Sequence, residues 1–361
     1  MTTIVFAGGG TAGHIEPSLA VARSWLSAHP GDACIFLGTA QGLETSLIPE
    51  AGFELKLIRK VRISRRINLS LLTVPISLFM SVIECYKILS TADLLVGFGG
   101  YVSGPAYLAA AVRRIPIVIH EANAKPGWAN RLGAALSSFC AVAVPVTSGS
   151  FSQALITGMP LRADVENTLR ITVKDWKTAR SQSRVAMGFD SKHPVILVMG
   201  GSQGSVAINT VVANSLDSLL ERNFQILHAV GKKNALPEPR KGYTPVYYIN
   251  EMARAYLGSD LIIARSGAVT CSEIEALGKF ALFIPLAIGN GEQEHNARHL
   301  VKEGKARIVQ EKDFNAQWLL AEVENLIELS HKAPLEGSSA NLASSEKIAA
   351  LMAEALKKKN A

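Results

Sequence analysis

Three glycine runs stand where a short apolar segment gives way to a helical pattern, and each has the composition of a phosphate cradle. They are Gly8-Gly9-Gly10-Thr11-Ala12-Gly13-His14, Gly97-Phe98-Gly99-Gly100-Tyr101-Val102-Ser103-Gly104-Pro105 and Gly200-Gly201-Ser202-Gln203-Gly204. Backbone without a Cβ can approach an anion closely, and the helix that follows offers N–H groups and the positive end of its dipole. Thr11, Ala12 and Gly13 line the first turn, which is expected to enter its helix near His14. Ser202 adds a hydroxyl to the third, at the expected start of another helix. The first run contains G-x-G-x-x-G, but a dinucleotide site also needs an acid at the end of the second strand, and that strand ends Leu37-Gly38-Thr39. A NAD-dependent oxidoreductase is thereby disfavoured, whereas two glycine loops in one half of the chain suit a diphosphate. A fourth segment, Ala264-Arg265-Ser266-Gly267-Ala268-Val269-Thr270-Cys271-Ser272-Glu273, carries small residues, hydroxyls and then one carboxylate. Glu273 is expected to accept the two hydroxyls of a ribose rather than lie on a solvated helix face.

The elements that must position these loops follow from apolar periodicity. In the first half Ile4–Ala7, Ala33–Leu37, Leu94–Val96, Ile117–Ile119, Cys140–Val144 and Ala154–Ile156 read as strands separated by helical stretches, the rhythm of a parallel sheet wrapped by helices. The rhythm restarts with Val195–Met199, Phe224–Ala229, Val246–Ile249, Leu261–Ala264 and Ala281–Ile284. A chain of 361 residues exceeds one ordinary core. The expected class is α/β, with an N-terminal domain over 1–160, a second domain over 161–335, and a closing helix within 336–361 that packs back on the first. Gly158-Met159-Pro160 joins a turn former to a helix breaker and marks the expected hinge, with a cleft beside it.

Charge narrows the partners. The net charge is +7, and Lys56, Arg59, Lys60, Arg62, Arg65 and Arg66 form a basic run directly before the uncharged segment 67–83. In that segment Ser70, Thr73, Ser77 and Ser81 fall on one narrow helical stripe, Pro75 interrupts the pattern, and the length is at the short limit for a bilayer span. An interfacial helix on an anionic membrane fits better, beside the plainer reading of a helix packed in its own domain. The run lacks interleaved aromatics, which argues against nucleic acid. Cys34, Cys85, Cys140 and Cys271 are far apart, so neither a zinc site nor a disulfide framework is expected, and the first strand starts without a secretory signal ahead of it. Both suit the cytoplasm. No D-x-D pair calls for a bound metal, so no cofactor is expected, and stimulation by Mg²⁺ in solution stays compatible.

The three glycine runs, together with His120-Glu121-Ala122-Asn123 and Arg265-Ser266-Gly267-Ala268, resemble the MurG family, the undecaprenyldiphospho-muramoylpentapeptide β-N-acetylglucosaminyltransferases of bacterial wall synthesis. The likeness runs in order from about residue 4 to about residue 300. It implies a GT-B fold, two Rossmann-like domains facing across a cleft, with the acceptor lipid on the first and UDP-N-acetylglucosamine mainly on the second. It also implies inverting transfer to the muramoyl 4-hydroxyl of lipid I, forming the β-1,4 link of lipid II, by an enzyme held peripherally on the cytoplasmic face of the plasma membrane.

Carried over by position, the resemblance assigns Ser202 to the donor diphosphate, Glu273 to the ribose, and Ile249, at the end of its strand, to the uracil through its backbone. Ala268 and Thr270 fall in the same donor site, Asn123 and Gln293 fall to the sugar, and Arg162 lies near the nucleotide. The chain departs from common family patterns at Met159, Ala12 and Glu292. Inverting transfer asks for a general base, and a histidine titrating near neutrality is suited to it. His14 is the first candidate, with a helix-capping or diphosphate-binding role open at the same position, and Glu121 is the second. UDP-N-acetylglucosamine epimerases share the fold and the nucleotide and stand as the alternative activity.

Overall fold

A computed structural model of the chain describes residues 1–60, 74–146, 149–172, 175–286, 291–333 and 337–360. The basic residues Arg62, Arg65 and Arg66, with Ser70 and Thr73 of the expected polar stripe, lie outside the described residues. The chain forms two compact units, Met1–Arg162 with Asn341–Ala361, and Ala163–Ala340.

The first unit is a parallel sheet. Its strands are β1 (Thr3–Gly8), β2 (Ala33–Gly38), β3 (Glu54–Leu57), β4 (Leu94–Gly99), β5 (Ile117–Glu121), β6 (Phe139–Val142) and β7 (Leu155–Ile156), in the order β3-β2-β1-β4-β5-β6-β7. Ile4, Val5, Phe6 and Ala7 are all fully buried, because a parallel sheet is covered on both faces and its central strands need no polar side. Phe6, Phe36 and Val96 pack on one face against Leu19 and Trp25 of α1 (Ala12–Ala28) and Ile348 and Met352 near the C-terminus. Val5, Leu95 and Ile119 pack on the other against Ala106 and Tyr107 of the helix Ser103–Arg113. The C-terminal helix Ser344–Asn360 contacts α1 and crosses β4, β5 and β6.

The second unit repeats the plan. The strands β8 (Val195–Met199), β9 (Gln225–Ala229), β10 (Tyr243–Val246), β11 (Leu261–Ala264), β12 (Ala281–Phe283) and β13 (Ala306–Ile308) are ordered β10-β9-β8-β11-β12-β13, all parallel. In each sheet the strand order reverses once, between β1 and β4 and between β8 and β11. Loops leaving neighbouring strands there diverge to opposite faces and open a crevice at the strand ends. All three glycine runs and the Arg265–Gly267 turn fall at these reversals.

Several expectations need correcting. The first helix starts at Ala12, two residues ahead of His14, with extended Thr11 as its N-cap. The strand expected at Val246–Ile249 lies at Tyr243–Val246, because its partner β9 ends at Ala229, paired with Val246, and beyond it Gly231, in the turn after β9, donates to Tyr247 O without extending the ladder. The edge strands β3 and β13 escaped notice because a three- or four-residue strand with one neighbour keeps charged, exposed positions such as Glu54 and Lys56. In the apolar segment, the helix Val74–Ile88 holds Pro75 in its first turn, where the missing N–H costs nothing. Val82, Cys85 and Ile88 pack into the core, but Ser81 of the expected polar stripe is also buried and donates to Arg59 O, while Ile76 and Phe79 are 67% and 63% exposed. All four cysteines are buried free thiols.

Candidate active site

On the first unit the glycine loops after β1 and β4 touch. The ladder slips at Ala7/Gly8, so that Gly8 pairs with Gly99, and a Cβ on Gly100 would lie 2.5 Å from Gly9 O. Gly100 also has φ +83°, so side chains are excluded there by space and by backbone conformation alike. The Ser103 hydroxyl lies 2.8 Å from both Ala7 O and Gly99 O and ties the second loop to the first strand.

His14 stands in the first turn of α1, half-buried, with Nδ1 3.2 Å from Gly9 O and 3.1 Å from Thr11 Oγ1. A carbonyl can only accept, so Nδ1 carries the proton, and in the neutral ring Nε2 holds the lone pair that takes a proton. Gly13 and Ala12 belong to the same turn.

A carboxylate that sequence reasoning missed supports this loop. Glu44, in the short helix Glu44–Glu50 after β2, is fully buried; Oε2 accepts from Gly10 N–H at 3.0 Å, and Oε1 from Thr39 N–H at 2.9 Å and Thr39 Oγ1 at 3.0 Å. The Gly10 donor expected for a phosphate is therefore held by an internal anion. The acid sought after the second strand is present, but five residues beyond Thr39 and turned inward, so it presents nothing to a ribose.

Glu121, at the end of β5, is buried and accepts four hydrogen bonds. Oε1 takes Asn123 N at 2.8 Å and Asn123 Nδ2 at 3.0 Å; Oε2 takes Gly127 N and Asn130 Nδ2, both at 3.0 Å. Two donors on each oxygen make Glu121 a loop-holding carboxylate that orients Asn123. Asn130 is itself fixed by the Tyr107 hydroxyl at 2.8 Å and donates to His120 O. His120 is buried with Nε2 on Gly158 O at 3.0 Å, and burial pushes its pKa down to about 4. Arg162 pairs with Glu16 of α1 at 3.7 Å, which anchors it to the first unit.

On the second unit the loop after β8 runs through Ser202 and Gln203 as a turn before the helix Val206–Glu221. Ser202 is thus not at the helix start; Ser205 is the N-cap, its oxygen accepting from Ile208 N. Arg265, after β11, fixes that cap: Nη2 donates to Ser205 Oγ at 2.8 Å and pairs with Glu311, while Nη1 bonds Ile284 O at 2.9 Å and Pro285 O at 3.2 Å. A guanidinium is suited to this because its planar fork reaches several acceptors at once.

Ala268 and Thr270 lie in the first turn of the helix Ala268–Ala276, both half-buried. Glu273 follows one turn later and is buried at 1% exposure, with Oε2 accepting from the Tyr256 hydroxyl at 2.9 Å, so it does not sit on a solvated face. Ile249 is buried three residues past the last residue of β10, not at the strand end. Gln293 stands in the first turn of the helix Glu292–Lys302, where its Oε1 accepts from Leu286 N at 3.0 Å. The candidates thus gather in two groups. Thr11–His14, Glu121 and Asn123 sit at the carboxyl ends of β1 and β5; Ser202, Ile249, Ala268–Glu273 and Gln293 follow β8, β10, β11 and β12.

Among the described residues no group of three or more histidine, cysteine, aspartate or glutamate side chains could hold a metal ion.

The chain matches the glycosyltransferase family 28 N-terminal domain over residues 4–140 and the family's C-terminal domain over residues 195–353. It is 44% identical over 327 residues to the UDP-N-acetylglucosamine–N-acetylmuramyl-(pentapeptide) pyrophosphoryl-undecaprenol N-acetylglucosamine transferase of Corynebacterium efficiens, covering 90% of this chain and 88% of that protein. The crystal structure of Acinetobacter baumannii MurG superposes with a TM-score of 0.70 at 25% identity, covering 98% of this chain and all of the other. A Neisseria meningitidis UDP-GlcNAc 2-epimerase bound to UDP-GlcNAc matches with a TM-score of 0.60 at 16% identity, covering 98% and 100%, which shows the shared fold alone.

Proposed function

This chain belongs to the MurG family within glycosyltransferase family 28, and from that premise we propose which of its residues carry the transfer. The reaction is inverting: N-acetylglucosamine passes from UDP-N-acetylglucosamine to the 4-hydroxyl of lipid-linked N-acetylmuramoyl-pentapeptide, and the product is lipid II. His14 is the general base. The acceptor hydroxyl attacks the anomeric carbon, its proton goes to Nε2, and the bond to the β-phosphate oxygen breaks with the electron pair staying on UDP. The observation that carries this assignment is the Nδ1–H bond to Gly9 O, which fixes the tautomer with Nε2 as acceptor. Glu121 holds the loop that carries Asn123, and the family likeness gives both Asn123 and Gln293 a role toward the sugar.

The donor's diphosphate lies against the loop through Ser202, where N–H groups ahead of the Ser205-capped helix stabilise charge on the leaving group. Glu273 receives the ribose, Ile249 the uracil, and Ala268 and Thr270 line the same site, with Arg162 near the nucleotide. The division of labour follows domains at about 1–160 and 161–335, with the closing helix belonging to the first.

No described helix is long and apolar enough to cross a membrane. The enzyme is held peripherally at the cytoplasmic face by the exposed Ile76 and Phe79 together with the basic residues before them. Vesicle flotation tests this: Ile76 and Phe79 changed together to serine should release the protein from anionic vesicles, and undiminished binding would refute it.

The reaction is tested by supplying labelled UDP-N-acetylglucosamine with and without a short-chain lipid-linked muramoyl-pentapeptide. Transfer of label only with acceptor is expected; an epimerised sugar nucleotide would instead support the alternative activity.

A further inference from the structure

We propose that Lys232 and Lys233 form the cationic arm of the diphosphate site on the second unit. The inference rests on reading the Ser202 loop as that site, and adds residues no part of that reading includes. The loop after β9 lies directly on the loop after β8. A Cβ on Gly231 would fall 2.4 Å from Gly204 N and 2.5 Å from Gln203 O, and one on Gly204 would fall 2.0 Å from Val230 O. Gly231 has φ +90°, so only glycine is at ease in this crossing.

The arm is braced on both sides. Gly231 N donates to Tyr247 O at 3.1 Å and Asn234 N closes the turn on Gly231 O at 3.1 Å. Asn234 Nδ2 and Asn209 Nδ2 both donate to Val230 O, at 2.6 Å and 3.0 Å. Lys232 and Lys233 occupy the middle of this turn and are exposed, and Lys232 Nζ stands 5.9 Å from the centre of the Tyr248 ring, beside Ile249. The turn therefore spans from the diphosphate loop to the edge assigned to uracil.

Charge completes the case. On this unit Arg222, Arg240 and Arg307 face Glu324, Asp217 and Glu322 respectively, whereas among the described residues neither Lys232 nor Lys233 forms an ion pair. The loop from Gly200 to Ser205 contributes N–H groups and hydroxyls but no charged side chain. A nucleoside diphosphate brings several negative charges to it, and the bridging oxygen gains one more as the glycosidic bond breaks. Two lysines held one and two residues from Gly231, where it meets Gly204, are placed to balance that charge, an attraction that weakens with salt.

Calorimetric titration of the full chain with UDP, UMP and uridine tests the assignment, using Lys232→Met, Lys233→Met, the double variant, and Lys241→Met as a lysine removed from the opposite end of the sheet. The double variant should bind UDP about tenfold more weakly, with a shallower salt dependence, while uridine binding and the Lys241→Met variant stay as in the parent. Unchanged UDP affinity in the double variant, or equal losses for UDP and uridine, would overturn the proposal while leaving the donor site in place. A parent protein that binds none of the three would overturn the donor site itself.

Discussion

Replacing Glu121 with glutamine separates a loop-holding carboxylate from a catalytic base. The native carboxylate accepts from Asn123 N, Asn123 Nδ2, Gly127 N and Asn130 Nδ2 at 2.8–3.0 Å. A glutamine keeps one oxygen, which satisfies two of these donors, and turns an NH₂ group toward the other two. Each orphaned buried donor costs about 1–3 kcal/mol, so the variant loses roughly 2–6 kcal/mol of local order before the loop relaxes. If a third to a half of this reaches the sugar contact through Asn123, the KM for UDP-N-acetylglucosamine rises about three- to a hundredfold, since each factor of ten is about 1.4 kcal/mol. Turnover at saturating donor should stay within about tenfold of the parent, and the pH profile of kcat should keep its shape. Steady-state kinetics with varied donor at several pH values read all three quantities. A kcat lowered a thousandfold at unchanged KM, with the basic-group limb of the pH profile gone, would show that Glu121 takes the proton and that the saturated geometry was misread.

Three further outcomes are expected. Glu44→Gln sets an amide NH₂ against Gly10 N–H, with a loss of about 1.5–3 kcal/mol for one charge-assisted bond; turnover should fall at least about tenfold while calorimetric UDP affinity holds, and equal losses in both would remove the link from Glu44 to His14. Ser205→Ala deletes the N-cap and one acceptor of Arg265, so the melting temperature should drop by the equivalent of about 1 kcal/mol and UDP should bind several-fold more weakly; unchanged UDP affinity would detach the cap from the donor site. Burial pushes His120 and His228 down to about 4 from an ordinary value of 6.5, so between these limits the unfolded chain binds more protons and stability falls as pH drops from 6.5 toward 4. At pH 5.5 each contributes about 1.2 kcal/mol per pH unit. His299, raised by its bond to Glu275, contributes with the opposite sign in the second unit, so the first unit should be the more acid-sensitive; urea titrations from pH 7 to 5 should show a flatter slope for His120→Gln, and an identical slope would exclude His120 as the source.

Much of the fold was legible because its signals are local. A strand buried on both faces must be apolar throughout, and β1, β2, β4, β8 and β11 are recognisable as such from four to six residues. The glycine runs could be placed after strands because tight strand-to-helix turns need residues without a Cβ. The edge strands β3 and β13 could not, since one neighbour and an exposed face leave no pattern, and Val246–Ile249 misled because apolar content cannot tell where the partner strand stops.

The sequence by itself determined that the chain has two helix-wrapped parallel sheets, that glycine loops follow their strands, and that His14, Asn123, Ser202 and Glu273 stand beside them. Only the tertiary structure decided what the carboxylates do. Glu44 reaches Gly10 across 34 positions, Ser103 reaches Ala7 across 96, and Arg265 reaches back 60 to cap a helix through Ser205 rather than Ser202. Parallel strands need long crossovers, so residues that share a crevice are far apart in the chain. Spacing in the sequence says which groups a loop carries; the order of strands in the sheet says which of them meet.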